Sequence, residues 1–160
     1  MDIEIESFFK TTIERLRNAS YTDHTFSLKS AEVLKHLLNE PENANCVIAL
    51  PPDGLKGGFL RVLKKNSGIR IVINDKPENI LQRIRFYDID SQPIEKNLTD
   101  EDKKYLLREI KKDITFYRSS YQRANLHVDI SGLNADQAAL KIRETLETID
   151  IKEIEQGNFD

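Results

Sequence analysis

Gly54, Gly57 and Gly58, with Lys56 among them, stand between an apolar run of strand length and a helical pattern. That is where a glycine-rich loop would cradle phosphate oxygens on backbone N–H groups, and Lys56 is the residue there that could meet an anion. The order Pro51-Pro-Asp-Gly-Leu-Lys-Gly-Gly58 matches neither G-x-G-x-x-G nor G-x-x-x-x-G-K-[ST], so it reads as a turn and a helix start. Arg83 and Arg85 flank the polar stretch from Phe86 to Leu98 and offer a second place for anion contact, with pairing to Asp88 or Glu78 as the plainer use of those charges. Arg118 could bind an anionic ligand, yet it shares its helix with Lys111, Lys112 and Arg123, as solvated surface cations do. His24, His36 and His127 scatter over a loop, a helix and a strand without metal-ligand spacing, so no metal site is expected. His127 alternates with Leu126 and Val128 as a satisfied sheet residue would. Cys46, inside Asn45-Cys-Val-Ile-Ala-Leu50, reads as a buried, inert thiol rather than a nucleophile, and no Ser-His-Asp or Cys-His set is defensible. No catalytic residue is assigned.

These residues belong to a chain of 160, the length of one domain with a single core. The expectation is one domain over residues 1–150 and a frayed C-terminal tail over 151–160. With 27 acidic and 24 basic side chains the net charge is -3, which gives no electrostatic reason to expect nucleic acid or an anionic membrane as partner. A single cysteine excludes an internal disulfide and suits a reducing compartment. Met-Asp-Ile-Glu-Ile-Glu lacks the basic start of a signal peptide, and no apolar stretch approaches the ~18 residues that span a bilayer. The cytoplasm is the expected location.

The elements that would position the candidates follow from periodicity. Phe9, Ile13 and Leu16 predict a helix from about Ser7 to Asn18, and Val33, Leu34, Leu37 and Leu38 a second one closed by Asn39-Glu40-Pro41. Asn45 to Leu50 has the continuous apolar character of a strand covered on both faces. A helix through Phe59, Leu60 and Leu63, a strand from Ile69 to Ile73, and a helix opened by Pro77 come next. Thr99 can cap a long helix through Leu106, Ile110, Ile114 and Tyr117, with Asp100, Glu101 and Asp102 in its first turn. The strand Leu126 to Ile130 ends at Gly132, and Asn134 can cap a final helix whose stripe runs from Ala138 to Ile149. Alternation of this kind predicts an α/β fold of three layers, a mostly parallel sheet with helices on both faces. Three strands are few, so Met1 to Glu6, which alternates apolar and acidic residues, is a candidate for one more, or an edge is covered by another chain.

In this order and spacing the chain resembles the shikimate kinase family of the nucleoside monophosphate kinase-like P-loop fold, from Asn45 to about Glu147 and more weakly from Asp2 to Leu38. The resemblance is carried by Cys46 to Leu50, by Ile69 to Asn74 with Asp75-Lys-Pro-Glu-Asn-Ile-Leu-Gln-Arg83, by the lid-like stretch before Leu98, by Tyr117-Arg118 to Asp129, and by Asp129-Ile-Ser-Gly-Leu-Asn-Ala-Asp136. The family's first strand and P-loop have no counterpart. Of its Asp-x-Asp pair only the second position is filled, by Asp2. Where the family has a Phe-Arg pair for the substrate carboxylate, this chain has Phe26-Ser27. Where a Gly-Gly-Gly segment offers backbone N–H groups, it has Pro51-Pro52-Asp53, which removes two of three donors and adds a negative charge. The lid arginine before a proline is replaced by Gln92-Pro93, and a neutral amide cannot stabilise transition-state charge as a guanidinium does. The resemblance therefore implies Asp2 and Arg118 as substrate-binding counterparts and Arg83 as a helix arginine near the nucleotide.

Three readings follow. The first is a non-catalytic binding or regulatory protein on a truncated kinase-like scaffold, with no cofactor, a small anionic ligand, and a homodimer or partner chain at an exposed sheet edge. The second is an ATP-dependent small-molecule kinase that uses Mg-ATP and whose P-loop segment, about 30 residues, lies upstream of Met1. The third is a different protein that shares only the α/β pattern.

Overall fold

In the computed structural model, which describes residues 1–148, the elements run in order α1 (Asp2–Phe9), α2 (Ile13–Asn18), α3 (Asp23–Asn39), a 3-10 turn (Pro41–Asn43), α4 (Gly57–Leu63), β1 (Ile71–Asn74), α5 (Pro77–Arg83), β2 (Phe86–Tyr87), β3 (Pro93–Ile94), α6 (Asp100–Tyr121), β4 (Leu126–Asp129) and α7 (Ala135–Glu147). The fold class is mixed α/β, with seven α-helices and one small parallel sheet among the described residues. Ile149 and the tail from 151 to 160 lie outside the described residues. The chain divides into two compact units, Met1–Asn66 with Arg85–Lys96, and Ser67–Ile84 with the described residues from Asn97 onward.

In the first unit α3 is the centre. Its Val33 packs with Ile5 of α1 and Leu16 of α2, while Ala31 and Leu34, on another face, enclose the completely buried Phe59 of α4. Gly58 lets these two helices approach, because a Cβ there would sit 3.0 Å from the Ala31 Cβ. The hairpin β2–β3 belongs to this unit: Thr12 Oγ1 donates to the Ile89 carbonyl at 2.6 Å, Arg15 Nη2 meets Asp90 Oδ1 at 2.6 Å, and the Ser91 hydroxyl donates to Glu6.

Three expectations are corrected here. Met1 to Glu6 is helical: Met1, Ile5 and Phe9 share one face against the α2–α3 core, and Asp2 and Glu4 suit the positive end of the helix dipole. The helix expected from Ser7 to Asn18 is broken at Lys10, which adopts φ 55°, and restarts at Thr12, whose side chain caps Arg15 N while Glu6 accepts from Ile13 N. Cys46 to Leu50 forms no strand and pairs with none. Ile48 and Leu50 lean on the Phe59 cluster while Cys46 is exposed, so the thiol is not buried.

In the second unit β1 and β4 pair in parallel, Ile71 opposite Leu126 and Asn74 opposite Asp129. Val128, Ile130 and Ala138 of β4 and α7 form its core with Ile71, Leu133 and Ile142 around them. The two long-range helices start as their sequences predict. Thr99 and Asp102 form a reciprocal capping box on α6, and Asn134 and Gln137 one on α7. At the other end of the sheet Asn125 Oδ1 accepts from both Arg70 N and Arg70 Nε at 2.8 Å. Partial burial of that guanidinium pushes its pKa down from the usual arginine value. No described helix is long and apolar enough to cross a membrane.

Candidate functional site

The carboxyl ends of parallel strands are where open α/β sheets place ligands, because loops and helix starts converge there. In the second unit that end gathers Asn74, Asp75, Lys76, Asp129 and Ser131. Asp75 follows β1 directly, its side chain only 4% exposed, and its Oδ1 accepts from Lys76 N and from Asn79 Nδ2, both at 2.7 Å. Its Oδ2 accepts no hydrogen bond of good geometry and faces Arg83 Nη1 at 2.6 Å, a charge contact from the last turn of α5. Arg83 spends its other terminal nitrogen on the Leu133 carbonyl at 3.0 Å, so one guanidinium joins the β1–α5 and β4–α7 connections. Burial pushes the Asp75 carboxyl up, but the Asn79 amide, the Lys76 N–H, the Arg83 charge and the Ser131 hydroxyl together outweigh it and hold the group below the ordinary carboxylate range.

Asp129 ends β4 and accepts from Ser131 N at 2.9 Å, while Lys141 donates to the Asp129 carbonyl at 2.6 Å. The Ser131 backbone and hydroxyl, then the Lys141 and Lys76 charges, draw this carboxyl down as well, against a smaller upward effect of burial. A carboxylic acid or base that works near neutrality needs the opposite shift. The arrangement is a clasp that ties two loops together, with each carboxylate held ionised. Among the described residues no group of three or more His, Cys, Asp and Glu side chains could hold a metal ion.

In the first unit Ser27 of α3 donates from Oγ to Asp53 Oδ2 at 2.8 Å, and the Asp53 carbonyl accepts from Lys56 N at 3.0 Å. Two positions 26 residues apart, Ser27 and the Pro-Pro-Asp turn, thus meet beside the start of α4. Gly54 in this turn is buried, and a Cβ there would lie 2.6 Å from the Leu50 Cβ, so this glycine serves packing. Lys56 itself is exposed at the N-cap position of α4.

The residues singled out from sequence are dispersed. Asp2 is exposed in the first turn of α1, and with Lys56 it belongs to the first unit. Arg83 and Arg118 belong to the second. Arg83 is engaged by Asp75 and Leu133 rather than by the expected Asp88 or Glu78, and Arg118 is exposed near the end of α6. Glu78 instead meets Lys111 at 3.5 Å. His127 lies on β4, in the sheet as its alternation with Leu126 and Val128 predicts, with its side chain exposed. An open groove of about 760 Å³ runs along α6 beside Leu107, Phe116, Arg108 and Lys112. It shares no residue with the Asp75 clasp, and Arg108 and Lys112 both lie near Glu109. The Lys112 hydrogen bond, with the Lys112 and Arg108 charges, draws the Glu109 carboxyl down against the opposing effect of burial.

Sequence reasoning missed Asp75, Asn79, Asp129 and Ser131. The available signal is that each acid stands at or directly after the end of a strand and is followed within a few residues by a donor side chain. Compared with protein-family models, with curated proteins and with solved structures, the chain matches none.

Proposed function

We propose that the chain is a shikimate-kinase-like α/β protein of the cytoplasm, with that family's three-layer arrangement, and that it acts as a non-catalytic binding or regulatory protein. The observation that carries this reading is the Ser27–Asp53 hydrogen bond. In the resemblance these two positions correspond to the substrate arginine and to the glycine segment that approaches substrate. Here they are neighbours, and each engages the other. A serine and a carboxylate bound to one another leave a negative charge where the kinases hold an anionic substrate, a choice incompatible with that substrate.

The clasp in the second unit supports the same reading, since Asp75 and Arg83 are committed to holding the chain. Lys56 and Arg118, both exposed, are the cations from which a small anionic ligand would draw. Association with a second copy or a partner chain along an unpaired strand edge completes the proposal.

Calorimetric titration with Mg-ATP, and separately with shikimate, tests it, with the melting midpoint followed in parallel because a ligand that binds only the folded state must raise it. The expected result is neither heat nor a shift with millimolar Mg-ATP. Saturable ATP binding would overturn the reading in favour of a phosphotransferase.

A further inference from the structure

The segment Cys46–Leu50 has the composition of a strand and the conformation of none of its neighbours' ladders. The backbone groups of Cys46, Val47, Ile48 and Leu50 make no hydrogen bond among the described residues, and within the segment only the Ala49 carbonyl has a partner, the Met1 ammonium at 3.3 Å. Backbone N–H and C=O groups that are not bonded within the protein must be met by water or by another chain, so four of these five positions are open to an incoming strand.

The side chains alternate as in a strand. Ile48 and Leu50 pack against the Phe59 cluster, whereas Val47 is fully exposed and Ala49 is exposed. The core thus fixes the segment by every second residue and leaves its edges to an incoming chain. Edge strands that must stay single carry charges that repel another strand. From Asn43 to Pro52 there is no charged residue at all. Pro51 and Pro52, which have no N–H, end the pairing-competent stretch on one side, and the 3-10 turn Pro41–Asn43 precedes it on the other.

We infer that residues 46–50 are the strand by which two copies of this chain associate, antiparallel about a two-fold axis. With Ile48 of one copy opposite Ile48 of the other, Val47 stands opposite Ala49, and Cys46 opposite Leu50. Every pair is apolar, no like charges meet, and one patch serves both sides, as an isologous contact requires. The Met1 ammonium already occupies the Ala49 carbonyl, so the edge left to an incoming strand is the one to which the backbone groups of Cys46, Ile48 and Leu50 point. A five-residue ladder is smaller than the ~1,600 Å² of a standard stable interface, so the association is concentration-dependent. The inference rests on the reading of the chain as a self-associating binding module and names the element that does it.

The test is hydrogen–deuterium exchange of the amides of residues 46–50, with sedimentation, over a concentration series of the full chain and of Val47→Lys. Val47 touches no core, so the variant keeps the wild-type melting midpoint in dilute solution. The expected result is a dimer that appears with rising concentration together with at least about tenfold slower exchange in 46–50, and loss of both in Val47→Lys. Fast exchange at every concentration overturns the inference, as does a dimer that leaves these amides fast or survives Val47→Lys. Slowed exchange without a change in mass overturns it too, in favour of an internal partner. Mg-ATP binding would remove the non-catalytic reading and leave this exchange pattern untouched, so the two failures are distinguishable.

Discussion

Ser27 Oγ and Asp53 Oδ2 lie 2.8 Å apart, a hydrogen bond that joins the middle of α3 to the turn that leads into α4. Both side chains are partly shielded from water, and the bond anchors a turn that carries two prolines. Removing either partner singly, Ser27→Ala or Asp53→Ala, is expected to cost about 1 kcal/mol, and the double variant less than the sum of the two, by about 0.5 to 1.5 kcal/mol of coupling. Urea unfolding of the four proteins measures this. Strict additivity would mean that the bond contributes nothing.

Arg83 is the only cation within ion-pair distance of the buried Asp75 carboxylate among the described residues. Arg83→Met leaves that carboxylate in place without its charge partner, and the Leu133 carbonyl without its donor. A loss of about 1 to 3 kcal/mol is expected, discounted from fully buried pairs because the arginine is half exposed. Arg83→Lys should recover only part of it, since an ammonium cannot reach both Asp75 and Leu133 with a planar fork.

The Asp75 and Asp129 carboxyls are both held below their ordinary value in the folded chain. The unfolded chain therefore binds their protons more readily, so unfolding takes up protons and stability rises with pH across the interval between the folded and unfolded values. The contribution is fully present above the unfolded value of about 4 and is lost as pH falls through the lower, folded values. Asp75→Asn should flatten this acid limb in denaturation followed between neutral pH and pH 2. An unchanged limb would show that Asp75 gains nothing from its surroundings.

Thr99 caps α6 by accepting from Asp102 N through its hydroxyl, and its own N–H donates in return to the Asp102 carboxylate. Thr99→Ala is expected to destabilise by about 1 kcal/mol, and Thr99→Ser by much less. Thermal melts monitored by far-ultraviolet dichroism read the difference.

Phe59 is completely buried between Ala31 and Leu34. Phe59→Ala is expected to cost about 3 to 5 kcal/mol, and Phe59→Leu a good deal less, because the cavity term grows with the volume removed. The midpoint of urea unfolding is the readout.

What could be read from the sequence is what local chemistry decides. Thr99 and Asn134 cap the helices they were expected to cap, and Pro77 opens α5, because each of these signals acts within one turn. The parallel pairing of the strands that contain Ile71 and Leu126 follows from alternation with helices. Pairing itself is not local: Cys46 to Leu50 is a continuous apolar run of strand length, yet it enters no ladder. Alternation misled at Met1 to Glu6, since Ile3 and Ile5 two apart fit a strand while Met1, Ile5 and Phe9 four apart fit a helix, and the α2–α3 core favours the second. At the candidate sites the chemistry lies in partners far apart in sequence. Arg83 has acids nearer in sequence, Glu78 and Asp88, yet it meets Asp75 at the end of β1, because the last turn of α5 brings the guanidinium back to that loop. Ser27 and Asp53 were each noted for what they lack, and nothing in one sequence links them.

The first unit is discontinuous in the chain, closing only when Arg85–Lys96 returns to Glu6, Thr12 and Arg15. During synthesis this unit cannot be completed until Lys96 has left the ribosome. By then β1 and α5 have already emerged as an excursion between its two parts, while β4, the strand that β1 needs, has not been made. The nascent chain therefore carries Ile71–Asn74 unpaired while residues 75–129 are translated, roughly 3 to 11 s at about 5–20 residues per second, and Val72 waits that long for its cover.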